Sequence, residues 1–130
     1  MIVLDTHIWV RWIIEGEALP PGRVAAALQS DARVGVSAMS CMEVAHLHKV
    51  GRLALPLSVE AWISAALGPA GIECLPVTCE IASRAVQLPD HHKDPADRAI
   101  IATALVHGAD LASLDTKFPL YQEIAERLLR

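Results

Sequence analysis

The fold class follows from residues 1–10, MIVLDTHIWV, in which the spacing of the apolar side chains changes at Asp5. Ile2, Val3 and Leu4 form a continuous apolar run, which is typical of a strand that is buried on both faces of a sheet. After Asp5, apolar residues recur at the three- and four-residue spacing of a helix. The chain therefore begins with a buried strand that leads directly into a helix.

The same alternation continues along the chain. Short apolar runs predict further strands at residues 34–36, 72–77 and 111–114, and the segments between them have helical spacing and capping residues. Strands that alternate with helices form a parallel sheet with helices on both faces. We therefore expect one domain, residues 1–130, with a three-layer α/β/α sandwich and a mostly parallel central sheet of four or five strands.

Composition excludes several classes of protein. Hydrophobic residues make up 53% of the chain and charged residues 20%, which excludes a disordered chain. There is no signal-like N-terminal segment and no apolar run long enough to cross a bilayer, so we expect a cytoplasmic protein without a membrane segment. The three cysteines form no CxxC pair, which argues against a disulfide framework or a structural zinc site.

Four acidic residues lie where the predicted elements reach one edge of the sheet. Asp5 ends the first strand and Asp115 ends the fourth. Asp97 lies in the first turn of the helix before that fourth strand, and Glu43 lies near the start of the helix after the second. Ligands of parallel sheets bind outside the carboxyl ends of the strands. If these strands are neighbours, the four carboxylates share a pocket, and a bound Mg²⁺ or Mn²⁺ balances their charge.

Most of these acids also have a simpler explanation. Asp94, close by, suits the N-cap of a helix, and Glu43 completes a capping box with Ser40. Asp115 is a residue type that is common in turns. For Asp5 a functional role is the better explanation, because an acid directly after an apolar strand is half-buried and costly without a partner.

Four segments occur in the order LDTHIWV, SAMSCMEVAHLHKVGRL, HKDPADRAIIATAL and LASLDTKF within residues 1–120. Together they resemble the PIN-domain family, and more narrowly the VapC-type toxins of bacterial toxin–antitoxin pairs. The resemblance implies a metal-dependent endoribonuclease that hydrolyses RNA with an activated water and leaves a 5′-phosphate and a 3′-hydroxyl. The partners that it implies are an RNA substrate, a small antitoxin protein and a second copy of the chain.

The resemblance also implies roles for individual residues. The acidic set that holds Mg²⁺ or Mn²⁺ and carries catalysis corresponds to Asp5, Glu43, Asp97 and Asp115. Supporting contacts to the metal or to phosphate are expected from Thr6, Ser113 and Asp94. Basic residues close in sequence to these acids are candidates for RNA contacts, and they are Lys49, Arg52, Lys93, Arg98 and Lys117. Arg98 is equally suited to pair with a neighbouring carboxylate.

The net charge first argues against a nucleic-acid partner. The chain carries 15 Asp and Glu against 11 Lys and Arg, a net charge of −4, which excludes coating of nucleic acid through bulk charge. The four proposed metal ligands account for the whole acidic excess. We therefore expect selective binding of RNA rather than general binding.

Several alternatives stay open. Residues 121–130 predict a helix, so the fifth strand of PIN domains is expected to be absent or very short. His91 and His92 lie in a polar loop and are expected to be solvated. Trp9 and Trp12 suit either core packing or an exposed apolar stripe for a partner. The alternative function is a PIN-like module that has lost catalysis and serves in binding or assembly.

Overall fold

A computed structural model describes residues 1–16 and 22–130 of the chain. Its centre is a sheet of five strands, all parallel, in the order β3-β2-β1-β4-β5. The strands are β1 (Ile2–Leu4), β2 (Val34–Ser37), β3 (Ile72–Leu75), β4 (Asp110–Ala112) and β5 (Leu128–Leu129). The predicted parallel α/β sheet of four or five strands is thus confirmed, and the number of strands is five.

Helices cover both faces of the sheet and make the predicted three layers. Those in the described part of the chain are α1 (Thr6–Glu15), α2 (Arg23–Leu28), α3 (Ala38–Lys49), α4 (Val59–Ala65), α5 (Cys79–Gln87), α6 (Pro95–His107) and α7 (Gln122–Ala125). Over the same residues, no helix combines the length and the hydropathy that a membrane crossing requires.

The side chains of β1 show how the layers are divided. Ile2 and Leu4 belong to one hydrophobic cluster, together with residues of α1, α3 and α4, whereas Val3 belongs to a second cluster with residues of α6 and α7. Successive strand residues point to opposite faces of a sheet. Because both faces are buried, the strand is apolar at every position.

Trp9 packs in the first of these clusters. Its side chain is fully buried, its indole Nε1 donates a hydrogen bond of 2.9 Å to the carbonyl oxygen of Ala66, and its ring lies 5.2 Å from that of Trp62. Trp12 is half-buried against the same cluster. Core packing therefore accounts for Trp9, and the alternative of an exposed stripe is wrong for that residue.

Two helix starts set the positions of site residues. Asp94 is the N-cap of α6, as predicted, with its Oδ1 accepting from the backbone N–H of Ala96 at 2.9 Å. The N-cap of α3 is Ser37, whose hydroxyl accepts from the Met39 N–H at 3.1 Å. Ser40 therefore lies inside α3, and the capping box predicted for it with Glu43 is not formed.

The C-terminal segment differs from its prediction. The helix is confined to α7, and Leu128 and Leu129 then pair with Leu111 and Ala112 of β4 as a very short fifth strand. The backbone N–H of Ser113 donates to the carbonyl oxygen of Leu129 at 3.1 Å. An unpaired strand edge would leave such groups without partners. Pairing with β5 therefore replaces the last turns of the predicted helix.

Candidate active site

The structure brings the four predicted acids into one cavity. Asp5 follows β1, and Asp115 lies just beyond the end of β4. Asp97 lies in the first turn of α6 and Glu43 in the second turn of α3. All four line a cavity of about 550 Å³, here called the acidic cavity. They meet because β1 pairs with both β2 and β4, which is the adjacency that the sequence left undetermined.

Asp5 lines the acidic cavity and is only 3% exposed. One carboxylate oxygen accepts from the backbone N–H of Thr6 at 2.8 Å, and the other accepts from the hydroxyl of Ser113 at 2.6 Å. Burial raises the pKa of Asp5 above its ordinary value, and His7 and these two donors oppose that rise. Ser113 thus orients a carboxylate, whereas the contact to the metal or to phosphate that the sequence suggested for it stays a prediction.

Glu43 is held by a chain of hydroxyl groups. The Thr6 hydroxyl lies 2.8 Å from Glu43 Oε1 and 2.8 Å from the hydroxyl oxygen of Ser40. A hydroxyl has one hydrogen, so Thr6 donates to the carboxylate and Ser40 supplies the other hydrogen bond. Burial raises the pKa of Glu43, against the lowering effect of the Thr6 donor. Sequence reasoning took Ser40 for a helix cap and missed this role.

Asp97 is the most strongly perturbed acid of the cavity. Burial, followed by the negative charges of Asp5, Glu43 and Asp94, raises its pKa from 3.8 to about 7, although His92 opposes the shift. A carboxyl group with such a pKa is half-ionised near neutral pH. A cation bound beside it would restore the ionised form.

Asp115 behaves differently because it is better supplied with donors. Partial burial raises its pKa, but hydrogen bonds from His92 and from the backbone N–H of Lys117 outweigh that effect, and the pKa is lowered overall. The contacts are 2.8 Å from His92 Nε2 to Oδ2 and 2.7 Å from the Lys117 nitrogen to Oδ1. Both oxygens of Asp115 are therefore engaged.

His92 is a site residue that sequence reasoning missed, and the expectation of a solvated loop histidine is wrong for it. Its side chain is 13% exposed, and its Nδ1 lies 3.3 Å from Asp97 Oδ2 while its Nε2 contacts Asp115. Its backbone N–H donates to the Tyr121 hydroxyl at 2.8 Å, and its ring meets the edge of Phe118. The sequence signal was weak, because it consists only of proximity to Asp94.

The donor set of the cavity fits a divalent cation. Among the described residues, no lysine or arginine forms an ion pair with any of the four acids. Two groups have ligand atoms that all lie within 4.8 Å of one another, namely His92 with Asp97 and Asp115, and Glu43 with Asp94 and Asp97. Carboxylate oxygens in this number are ligands for hard divalent cations.

The guanidinium of Arg98 is occupied within the protein, which leaves it poorly placed for the RNA contact that was one of its two predicted roles. Its side chain is buried, and its guanidinium lies 3.3 Å from Asp90. The five donors of the group instead satisfy the carbonyl oxygens at the end of α5 and in the following loop, namely Ala85, Val86, Leu88, Pro89 and His92. Arg98 fixes the loop that carries His92, because a planar guanidinium offers several donors in fixed directions.

The other basic candidates are exposed and lie in different places. Arg52 lines the acidic cavity, and so does Arg11, which sequence reasoning did not include. Lys93 lines a separate cavity of about 640 Å³. Lys49 lies at the end of α3, and Lys117 follows Asp115. Arg52 and Arg11 are therefore the cations that share a cavity with the four acids.

Comparison with known proteins gives the family. The model of the PIN domain matches residues 2–124. The chain is 32% identical over 117 residues to Ribonuclease VapC22 of Mycobacterium tuberculosis, a match that covers 89% of this chain and 88% of that protein.

Solved structures show the same fold. A VapBC2 complex from Rickettsia felis matches with a TM-score of 0.71 at 17% identity, over 99% of this chain and 98% of the other. A toxin–antitoxin complex from Klebsiella pneumoniae matches with a TM-score of 0.66 at 20% identity, over 100% and 97% of the two chains. The family model, the identity to a curated ribonuclease and the shared fold agree, and the chain therefore belongs to the PIN-domain family, in its VapC-type branch.

Proposed function

We propose that this chain is a divalent-metal-dependent endoribonuclease that acts as the toxin of a toxin–antitoxin pair. The observation that carries the proposal is the acidic cavity, in which Asp5, Glu43, Asp97 and Asp115 meet without a lysine or arginine ion pair among the described residues. A relative at 32% identity is a ribonuclease by name. An acidic cavity in this family supports metal-assisted hydrolysis of a phosphodiester.

The four acids are proposed as the groups that hold Mg²⁺ or Mn²⁺, with Asp94 beside them. A bound divalent cation lowers the pKa of a water molecule and offsets the charge of the phosphodiester. The pKa of Asp97 is raised to about 7, and a bound cation would favour its ionised form. Thr6 and Ser113 hold Glu43 and Asp5 in fixed orientations, so the carboxylates need not reorganise during the reaction.

The substrate is proposed to approach along the wall of the acidic cavity that Arg11 and Arg52 line. A phosphate next to the scissile one can pair with a guanidinium there, while the acids remain available to the cation. Only a few basic groups face this cavity, and the whole chain has a net charge of −4. This arrangement supports selection of particular RNA sites over bulk binding.

A small antitoxin is the proposed protein partner. The structural neighbours include toxin–antitoxin complexes by title. The lining of the acidic cavity also includes apolar side chains, namely Val10, Ile14, Leu47 and Leu53, and Ile14 is 47% exposed. An apolar lining of this kind suits a protein segment better than it suits RNA. We further propose that the chain folds as a single domain, forms a homodimer and acts in the cytoplasm.

The test uses the purified chain, cellular RNA and Mg²⁺ or Mn²⁺. We expect cleavage that stops in excess chelator, leaves 5′-phosphate ends and falls by at least about a thousandfold in Asp5→Asn and Asp97→Asn. The matched control is Asp110→Asn, because Asp110 is an exposed aspartate outside the cavity. Cleavage that persists in chelator would contradict the proposed chemistry.

A second experiment separates the toxin from a catalytically silent binding module. Expression of the wild-type chain is expected to arrest growth, and co-expression of a small protein encoded beside it is expected to restore growth. The Asp97→Asn variant should not arrest growth. Absence of both growth arrest and cleavage of any cellular RNA would favour the binding module. Mapping of the cleaved ends then identifies the RNA.

A further inference from the structure

The imidazole of His92 lies between two carboxylates of the acidic cavity. Its Nε2 is 2.8 Å from Asp115 Oδ2, and its Nδ1 is 3.3 Å from Asp97 Oδ2. An ionised carboxylate only accepts hydrogen bonds, so the short contact requires the hydrogen of the ring on Nε2. In a neutral imidazole, Nδ1 then carries a lone pair, and it directs that lone pair toward Asp97.

When Asp97 is ionised, its carboxylate and the Nδ1 lone pair are two acceptors that face each other, and a cation between them would satisfy both. The ligand atoms of His92, Asp97 and Asp115 all lie within 4.8 Å of one another. Metal bonds of roughly 2.0–2.2 Å to imidazole nitrogen and carboxylate oxygen place neighbouring ligand atoms about 3 Å apart. The separation of 3.3 Å between Nδ1 and Asp97 Oδ2 matches such a pair of adjacent ligands.

We propose that His92 Nδ1 is a direct ligand of the divalent cation, together with Asp97, and that Asp115 acts mainly by orienting His92 through Nε2. The inference rests on the proposed metal-dependent function and changes its ligand set. Metal-bound histidines almost always donate their second ring N–H to a carboxylate or carbonyl group. Asp115 supplies that acceptor, and its other oxygen already accepts from the Lys117 N–H.

The surroundings of His92 hold the ring in this position. The backbone N–H donates to Tyr121, the carbonyl oxygen accepts from Arg98 at 3.0 Å, and the ring lies 5.7 Å from that of Phe118 at 71°. An exposed loop histidine has no such constraints. Ligands that are fixed before binding lose little conformational entropy when the cation arrives.

A nitrogen ligand changes the preference of the site among cations. Mg²⁺ favours oxygen ligands in near-ideal octahedral geometry, whereas imidazole is a common ligand of transition-metal ions. With His92 in the coordination sphere, the site binds Mn²⁺ more tightly than Mg²⁺ when both are present. An all-carboxylate site would discriminate less.

The test is pulsed electron paramagnetic resonance on the full chain loaded with Mn²⁺. The wild type should show coupling of Mn²⁺ to a directly bound nitrogen. Labelling of histidine with ¹⁵N should replace the ¹⁴N coupling by a ¹⁵N coupling, which identifies the nitrogen as one from histidine. His92→Gln keeps a side-chain N–H for Asp115 but removes Nδ1. We expect it to lose the coupling and to bind Mn²⁺ about 10- to 100-fold more weakly. His107→Gln is the control, because His107 is an exposed histidine at the far end of α6.

The outcomes separate this inference from the proposed function. Mn²⁺ that binds to the wild type without any histidine nitrogen coupling overturns the ligand role of His92 and leaves the carboxylate metal site intact. Retention of the coupling in His92→Gln overturns the same role. A wild-type chain that binds no Mn²⁺ and cleaves RNA without metal overturns both. The ¹⁵N experiment needs no substitution, so absence of the coupling overturns the role of His92 even if His92→Gln does not fold. Presence of the coupling is assigned to His92 rather than to His7, which also lines the cavity, by its loss in His92→Gln and its retention in His7→Gln.

Discussion

The hydroxyl of Ser113 donates a 2.6 Å hydrogen bond to Oδ2 of Asp5, although 108 positions separate the two residues in the sequence. The contact exists because β1 and β4 are parallel neighbours and both residues follow the carboxyl ends of these strands. Asp5 is thereby held at both oxygens. The orientation of the acid therefore depends on a residue from the last fifth of the chain.

Replacement of Ser113 by alanine tests this orientation. We expect Ser113→Ala to lower the free energy of unfolding by about 1–3 kcal/mol, because a buried carboxylate loses a donor. Metal affinity should fall on the order of tenfold. Denaturant unfolding and Mn²⁺ titration measure the two effects, and Ser64→Ala, at an exposed serine of α4, is the control. Unchanged metal affinity would contradict the orienting role.

Removal of the charge at Asp97 should stabilise the protein when no metal is bound. Burial raises the pKa of Asp97 to about 7, so its ionised form is unfavourable in the folded chain at pH 8. We expect Asp97→Asn in excess chelator to gain about 1–2 kcal/mol of stability, less than the full shift implies because the cavity is open to water. Cleavage of RNA should be abolished at the same time. Asp110→Asn should change neither quantity.

The pH dependence of stability should show the same acid. The pKa of Asp97 is 3.8 in the unfolded reference and about 7 in the folded chain, so the folded state binds the extra proton between these values. In chelator, stability should therefore fall as pH rises from 5 to 8, by up to about 1.4 kcal/mol per pH unit from this group. Asp97→Asn should flatten the profile. Thermal melts at several pH values measure it.

Saturating Mn²⁺ should oppose that pH dependence. Cation binding requires deprotonated ligands, so affinity rises as pH passes through 7. The melting temperature with Mn²⁺ should then exceed that in chelator by more at pH 8 than at pH 5. An equal shift at both pH values would show that no ligand titrates in this range.

Arg98 should be essential to the fold rather than to RNA binding. Its guanidinium satisfies five backbone carbonyl oxygens around the loop of His92, and the single ammonium group of lysine cannot reach them all. We expect Arg98→Lys to cost about 3 kcal/mol or more in unfolding free energy. Arg84→Lys, at an exposed arginine of α5, should cost little. A stable Arg98→Lys variant with weakened RNA binding would restore a direct role for Arg98 in RNA contact.

The sequence was sufficient for the parallel sheet and for the four acids at its edge. Apolar runs such as Ile2–Leu4 mark strands that are buried on both faces, and an acid directly after such a run has few explanations other than a site. Local patterns do not determine strand order, so the meeting of Asp5 with Asp115 depended on the adjacency of β1 and β4.

The errors have a common physical origin. Residues 121–130 satisfy helical spacing, but the open edge of β4 competes for their last backbone groups and forms β5. His92 and Arg98 have polar side chains that are normally exposed, and tertiary contacts bury both. The contacts of His92 with Asp115 and Tyr121 span more than 20 residues, so no local window of sequence contains them. Those of Arg98 reach back only to α5, but they depend on how the loop folds against α6, which periodicity does not show.

The position of β1 in the middle of the sheet has a consequence for synthesis. The ribosome makes β1 about a hundred residues before its neighbour β4, and pairing across so long a separation is slow to form. A growing chain has Asp5 and Glu43 but lacks Asp97, Ser113, Asp115 and the strand that gathers them. A chain that cuts RNA when it is folded therefore has no assembled site during most of its own synthesis.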